Sequence, residues 1–450
     1  MSTEESAQQL SIYMVMAIGL STVIGSGIWR DPVKWANAAG AFAVLGLLIA
    51  WLLFFSSGLA YAECVGMFPN SGGPYSFVGG AFGKRTGTSV GILYFLGYAF
   101  VGVVLGFLTA LFTLAIFDTT DFKYITDQNL AFFTLAYILI FGFIASFLEL
   151  RKSGMLLLAW AFVKVAMLLI IALFAFTNMN AELVSNATFD STGFQDSIAL
   201  AIWALLGFDV MLIFAGELEK RKGADSEEER KALPKAIIYT LIIILVVYLI
   251  VAFAVIGIVP SQSLETSGTL GIMLVYASES GIRPELLFSF ATISAAGTTY
   301  ALIYISIHQI RVLAQDGAIP LFPEEGFEVQ RKRAIVVVIS LYLFAAAMLA
   351  SNKWVDGRTV DLVAGVGVGL ILLSAMLPAG ITALYLRVKL PILDRPYKAP
   401  LYFVVFPISI ALSLYLIYAN YTDPDNVPWI SIQLTLGLMI LVFLYSWARK

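Results

Sequence analysis

The sequence predicts an all-α polytopic membrane protein with twelve transmembrane helices. Three observations carry that expectation. Hydrophobic residues make up 60% of the chain and aromatic residues 14%, while only 13% are charged, a composition found in polytopic membrane proteins rather than in soluble folds of this size. Apolar runs of about 20 residues, the length that crosses a bilayer core, recur along nearly the whole chain. Basic residues crowd into alternate segments between the runs.

Taken in order, the runs cover approximately residues 11–36, 40–66, 86–116, 128–148, 152–178, 194–218, 234–259, 283–316, 334–351, 359–388, 400–420 and 427–448. With the N-terminus inside, 20 of the 27 Lys and Arg fall in cytoplasmic segments, among them Lys84, Arg85, Lys220, Arg221, Lys222, Arg449 and Lys450. Only Arg30, Lys34, Lys123, Arg283, Lys353 and Arg358 fall outside. That bias places both termini in the cytoplasm of a plasma-membrane protein. The opening "MSTEESAQQL" has no basic region and no small-residue cleavage site, so the first run is expected to remain as a span rather than to be removed as a signal peptide.

The formal charge of −3 is spread over many loops and suggests neither nucleic-acid binding nor an acidic tail. The one cysteine, Cys64, excludes an intramolecular disulfide and is expected to serve packing. The sequon at Asn186 reads as a chance match. No HExxH, GxSxG or P-loop pattern occurs, so neither catalysis nor ATP-driven work has visible machinery and the chain is not expected to be an enzyme.

Two spans carry a weak point. The first is interrupted at "IGSGIW", Ile24 to Trp29, and the sixth at Gly207 in "LLGFDVML". Glycine in a helix interior costs about 1 kcal/mol relative to alanine, and main chain released from a helix in hydrocarbon needs other partners. Interrupted helices at corresponding places in two halves point to a secondary transporter built from inverted repeats, with its site at the membrane midplane. On that division residues 11–178 form the first repeat, residues 194–388 the second, and residues 400–448 two accessory helices. Amides freed at Ile24, Gly25, Ser26, Gly27 and Ile28, at the positive end of the following half-helix, suit a carboxylate. Carbonyls freed near Leu206 and Gly207 suit an ammonium, so the two interruptions together describe a site for an α-amino acid. The alternative for the glycines is close helix packing, as "GVVLG" at Gly102 to Gly106 also suggests.

Of the charged residues, only Lys164 and Asp209 stand near the middle of a span. Ionisable groups at that depth mark a functional pathway, a proton relay or a structural pair, so both are candidates for proton exchange, Asp209 also for ligand contact, and mutual neutralisation is the alternative. Trp203, one turn before Gly207, is placed to lie over a ligand as a lid, unless it serves packing. His308 and Glu63 read as structural residues. No histidine or cysteine cluster suggests a metal.

At four places the sequence resembles the amino acid–polyamine–organocation (APC) transporters: "IGSGIW"; "FPNSGGPYSFVGGAFG" at 68–83; "RVLAQDGAIP" at 311–320; and "RPYKAPLYFVVFPI" at 395–408. A degenerate acidic, proline-containing loop, "GELEKRKGADSEEERKALPKAI", follows the sixth span. The resemblance extends over almost the entire chain. It implies a LeuT-type fold of ten core helices, with helices one and six unwound, plus two more. It also implies uptake or exchange of amino acids or related amines. Residues Ile24 to Ile28 would bind the substrate carboxylate, carbonyls around Leu206 the amino group, and Trp203 and Tyr94 would be gate residues. Lys164 matches a lysine that stands where related proteins bind sodium, so protons rather than sodium are the expected coupling ion and no cofactor is expected. "GFD" resembles the cationic branch of the family, whereas "WRDPVK" puts Arg30, Asp31 and Lys34 where an apolar half-helix is usual.

The resulting expectation is proton-coupled uptake of a neutral or hydrophobic L-amino acid. The partners expected are that small molecule and membrane lipids, with no nucleic acid, the chain acting as a monomer or weak homo-oligomer. An obligatory exchanger, a cationic amino acid or polyamine transporter, and a non-transporting sensor are the alternatives.

Overall fold

The computed structural model describes residues 9–219, 226–261, 268–320, 327–350, 358–422 and 428–448. The N-terminal octapeptide lies outside the described residues, as do Lys220, Arg221, Lys222, Lys353, Arg449 and Lys450, which enter the charge bias above. Among the described residues every extended element is helical except one pairing, in which Leu10 lies parallel to Leu218.

The first span is divided. Helix α1 (Ile12–Val23), capped by the Ser11 hydroxyl on the Met14 amide, is followed by a 3-10 turn (Gly27–Trp29) and α2 (Asp31–Ala39). A second 3-10 turn leads into α3 (Ala43–Met67). Then come α4 (Pro74–Phe82), α5 (Lys84–Phe117), α6 (Asp127–Phe147), α7 (Leu150–Thr177), α8 (Ala181–Ser185) and α9 (Ser191–Trp203). The sixth span continues past α9 as a 3-10 segment (Phe208–Glu217). The remainder is α10 (Ser226–Ile256), α11 (Thr269–Ser280), α12 (Pro284–Gln315), α13 (Phe327–Ala350), α14 (Arg358–Ile371), a π turn (Leu372–Met376), α15 (Leu377–Lys389), α16 (Tyr402–Thr422) and α17 (Pro428–Ala448).

Ten stretches among the described residues are long and apolar enough to cross a membrane. The first expected span is not one of them, because α1 alone has 12 residues, about 18 Å of helix. The run expected at 334–351 is helical over Phe327–Ala350 but is likewise not one of the ten. The short helices α4, α8 and α11 fall in segments that showed no apolar run.

At the centre stands α12, buried without a break from Ser294 to Ala314. Its small residues, Ser294, Ala295, Ala296, Gly297, Thr298 and Thr299, let neighbouring helices approach closely. It packs along α5 and also touches α1, α7, α6 and α13. Gly102 on α5 lies where a Cβ would collide with the Tyr342 ring of α13, so that glycine does serve close packing. Helices α16 and α17 are the least buried of the spans. Glu63, near the end of α3, accepts from Arg387 Nε (2.6 Å) and Nη2 (2.8 Å) and from the Ala399 amide (2.8 Å), which anchors the connection between α15 and α16.

Candidate functional site

Helix α1 ends at Val23 because Ile24 leaves helical backbone, at φ −77° and ψ 72°. The interruption therefore falls where the two glycines around Ser26 predict it. Its donors and acceptors are treated differently. The Ser21 carbonyl accepts from Lys164 Nζ (2.6 Å) and the Thr298 hydroxyl (2.8 Å). The Ile24 carbonyl accepts from Lys164 Nζ (2.9 Å) and the Ser294 hydroxyl (3.1 Å). The Gly25 carbonyl accepts from Ser294 (2.9 Å) and Trp29 Nε1 (3.1 Å). The amides of Ser26, Gly27 and Ile28, by contrast, meet no acceptor among the described residues. Three adjacent free N–H groups just ahead of a half-helix are the physical basis of an anion site.

The second interruption follows α9. The chain turns through residues 204–207 with Gly207 at φ +111°, a conformation that an L side chain rarely adopts. Its carbonyls divide in the same way. Gly207 accepts from the Thr22 hydroxyl (2.8 Å) and Ala204 from the Tyr248 hydroxyl (3.2 Å), whereas the Leu206 carbonyl meets no donor among the described residues. Tyr248 also reaches the Val23 carbonyl (3.1 Å), so Thr22 and Tyr248 together tie the two interruptions to each other. Ser26, Gly27, Trp203, Ala204 and Leu206 are half-buried, while Ile24, Gly25, Ile28 and Gly207 are buried.

Lys164, on α7, is fully buried. Its third contact is the Thr298 hydroxyl, at 2.8 Å. An ammonium has three N–H groups, and here each has an oxygen, from α1, from the interruption that follows it, or from α12. Asp209 is buried as well, two residues past Gly207. Its Oδ1 accepts from Tyr98 (2.7 Å) and its Oδ2 from Tyr94 (2.9 Å). Lys164 and Asp209 thus have separate partners and do not pair with each other. Tyr94 is brought to the Asp209 carboxylate and is completely buried, whereas Trp203 lies half-buried at the end of α9.

Arg30 and Asp31 form a pair (3.0 Å), and Arg30 Nη1 also donates to the Thr269 hydroxyl (2.6 Å). Asp31 is the acidic residue in the first turn of α2, where a negative charge complements the helix dipole. His308 stacks on Phe214 and, with Arg311, borders Glu217, which Arg311 Nη2 meets at 2.8 Å. The Leu10 pairing and the Ser71 hydroxyl (3.4 Å) converge on the same Glu217, so four chain segments close the bundle where α1 begins.

The residues that sequence reasoning missed are Thr22, Tyr98, Tyr248, Ser294 and Thr298. Ser294 with Thr298, and Tyr94 with Tyr98, are spaced i, i+4 and so share a helix face, a signal that was available. Tyr248 carries none, since one tyrosine in a long apolar helix is ordinary.

Two recesses lie away from both interruptions. One, of about 30 Å³, is lined by Tyr304, His308, Arg311 and Arg331; the other is an apolar groove of about 610 Å³ between α6 and α13. Among the described residues no group of three or more His, Cys, Asp or Glu could hold a metal ion.

A family model described as "Amino acid permease" matches residues 10–445. The chain is 23% identical to the branched-chain amino acid permease BcaP of Bacillus subtilis, over 98% of this chain and 93% of that protein. It is 21% identical to the aspartate-proton symporter of the same organism, over 97% and 82% of the two chains. Among solved structures, a mutant manganese transporter of Eremococcus coleocola superposes with a TM-score of 0.66 at 12% identity, covering 99% of this chain and 95% of that one. That likeness concerns the fold alone.

Proposed function

The chain belongs to the amino acid permease family, and from that premise we propose that it is a secondary active transporter taking up a neutral, hydrophobic or branched L-amino acid together with a proton. The observation that carries the proposal is Lys164. Its ammonium fills three oxygen acceptors on α1 and α12 and holds the first interruption in shape. Carbonyl and hydroxyl oxygens at an unwound helix are the ligands a sodium ion would otherwise take. A neutral amine has two N–H groups and a lone pair, so proton loss removes one of the three bonds and sets a lone pair against an oxygen.

In this reading the amides of Ser26, Gly27 and Ile28 receive the substrate carboxylate, the Leu206 carbonyl receives the ammonium, and Trp203 covers the ligand. Ile24, Ile28, Leu206 and Trp203 are apolar neighbours for the substrate side chain, and the BcaP relative is named for branched-chain amino acids. Tyr94 acts through Asp209 rather than as a lid. Loss of the Lys164 proton loosens α1 and releases the ligand inward, so access alternates.

The finer architecture belongs to the same proposal: twelve spans, inverted repeats over 11–178 and 194–388, accessory helices over 400–448, and both termini in the cytoplasm at the plasma membrane. Interruptions five spans apart and the shallow burial of α16 and α17 support it.

The test is uptake of labelled isoleucine by proteoliposomes, with and without an inside-alkaline pH gradient and with sodium replaced by choline. Accumulation that needs the gradient and ignores sodium is the expected result. Uptake that needs internal amino acid identifies an exchanger, and binding without flux identifies a sensor; either result overturns the proposal.

A further inference from the structure

We infer that Tyr94 and Tyr98 shield Asp209 from the ligand, so that the chain discriminates against amino acids and amines carrying a second positive charge. The inference rests on the amino acid transport proposed above and adds the residues that exclude a cationic side chain. A buried carboxylate two residues past a helix interruption would ordinarily be the natural partner of a side-chain ammonium. In this chain both of its oxygens are occupied, by Tyr98 at 2.7 Å and Tyr94 at 2.9 Å.

The two phenols come from successive turns of α5, and their rings meet edge to face at 5.0 Å. Tyr94 has no exposed surface and Tyr98 has 4%. Swinging either ring away would disturb close packing and leave a buried hydroxyl without a partner. The other mid-span charge, Lys164, is committed to Ser21, Ile24 and Thr298 and leaves Asp209 to the tyrosines. A ligand with a second ammonium would have to displace a phenol to reach the carboxylate. A ligand with an apolar side chain meets no such cost.

Replacing Tyr98 by phenylalanine keeps the ring and removes the donor from Oδ1. The acceptor so exposed is one that a ligand ammonium can satisfy.

The experiment measures uptake of labelled isoleucine, lysine and putrescine separately, and inhibition of isoleucine uptake by lysine, arginine and putrescine, in proteoliposomes. For the unmodified chain the cationic compounds are expected to inhibit at least 100-fold more weakly than unlabelled isoleucine. Tyr98→Phe is expected to narrow that ratio tenfold or more, and adding Asp209→Asn to Tyr98→Phe to restore it. A clasp that is merely structural would lower uptake of every compound and leave the ratios alone. Cationic inhibition of the unmodified chain as strong as that by isoleucine overturns the inference. So does an unchanged ratio in a Tyr98→Phe protein that still transports isoleucine. Tyr94→Phe, acting on the other oxygen, gives the same reading should Tyr98→Phe not fold. If the unmodified chain moves none of the three labelled compounds, the transport function itself fails, a result distinct from a failure of selectivity.

Discussion

Replacing Lys164 with methionine separates the structural role of its ammonium from its role in coupling. The substitution removes three charge-assisted hydrogen bonds, at 2.6, 2.9 and 2.8 Å, yet strands no acceptor. The Ser21 carbonyl keeps the Thr298 hydroxyl (2.8 Å), and the Ile24 carbonyl keeps Ser294 (3.1 Å). Hydrogen bonds to charged groups contribute about 1.5–3 kcal/mol each, but burying an ammonium costs several kcal/mol, which methionine does not incur. The difference leaves a net loss of about 1–3 kcal/mol, so the variant should fold. The same amount no longer biases the first interruption toward its held shape, a shift of roughly 5- to 150-fold in that equilibrium. Proton-driven accumulation in proteoliposomes should therefore fall by one to two orders of magnitude (about 10- to 100-fold) and lose its dependence on the pH gradient. The assay compares initial uptake rates at several external pH values at a fixed internal pH, with size-exclusion profiles as the control for folding. Uptake that keeps the full pH dependence of the unmodified chain would refute the assignment of the proton to Lys164.

Three further outcomes follow from the geometry. Gly207→Ala places a side chain at φ +111°, which costs about 1–3 kcal/mol in a sparsely populated backbone region; uptake should fall while α9, judged by helical content, persists. Tyr248→Phe removes the hydroxyl shared by the Val23 and Ala204 carbonyls; Val23 keeps the Gly25 amide (2.8 Å), so the acceptor that loses its partner is Ala204, at a cost of about 1–3 kcal/mol, and both substrate affinity, by isothermal titration, and melting temperature should drop. Glu63→Ala breaks a buried pair with Arg387 and leaves Arg395, 6% exposed, without its carboxylate neighbour. Removing one partner of such a pair costs about 3–5 kcal/mol, so the melting temperature in detergent should fall clearly; an unchanged value would show that this anchor contributes nothing to stability.

Most of the membrane-spanning helices were legible in the sequence because each buries one long apolar run in lipid, a constraint that acts locally and leaves a local pattern. The first interruption was legible too, since "IGSGI" combines two poor helix formers where a helix is otherwise compulsory. So were the two mid-span charges, because a charge at that depth is rare enough to read singly.

What the sequence by itself determined, then, was a helical chain in a bilayer, broken near Gly25 and Gly207, with Lys164 and Asp209 in mid-span. Tertiary structure decided what those features meet. Lys164 faces α1 and α12, not Asp209; the phenols of Tyr94 and Tyr98 take both carboxylate oxygens; and Tyr248 and Thr22 join two interruptions nearly 200 residues apart. The physical reason is that hydrocarbon requires every polar group to find a partner without saying which. A span reveals that it holds a donor or an acceptor, and only the packing of the bundle brings the matching group within 3 Å.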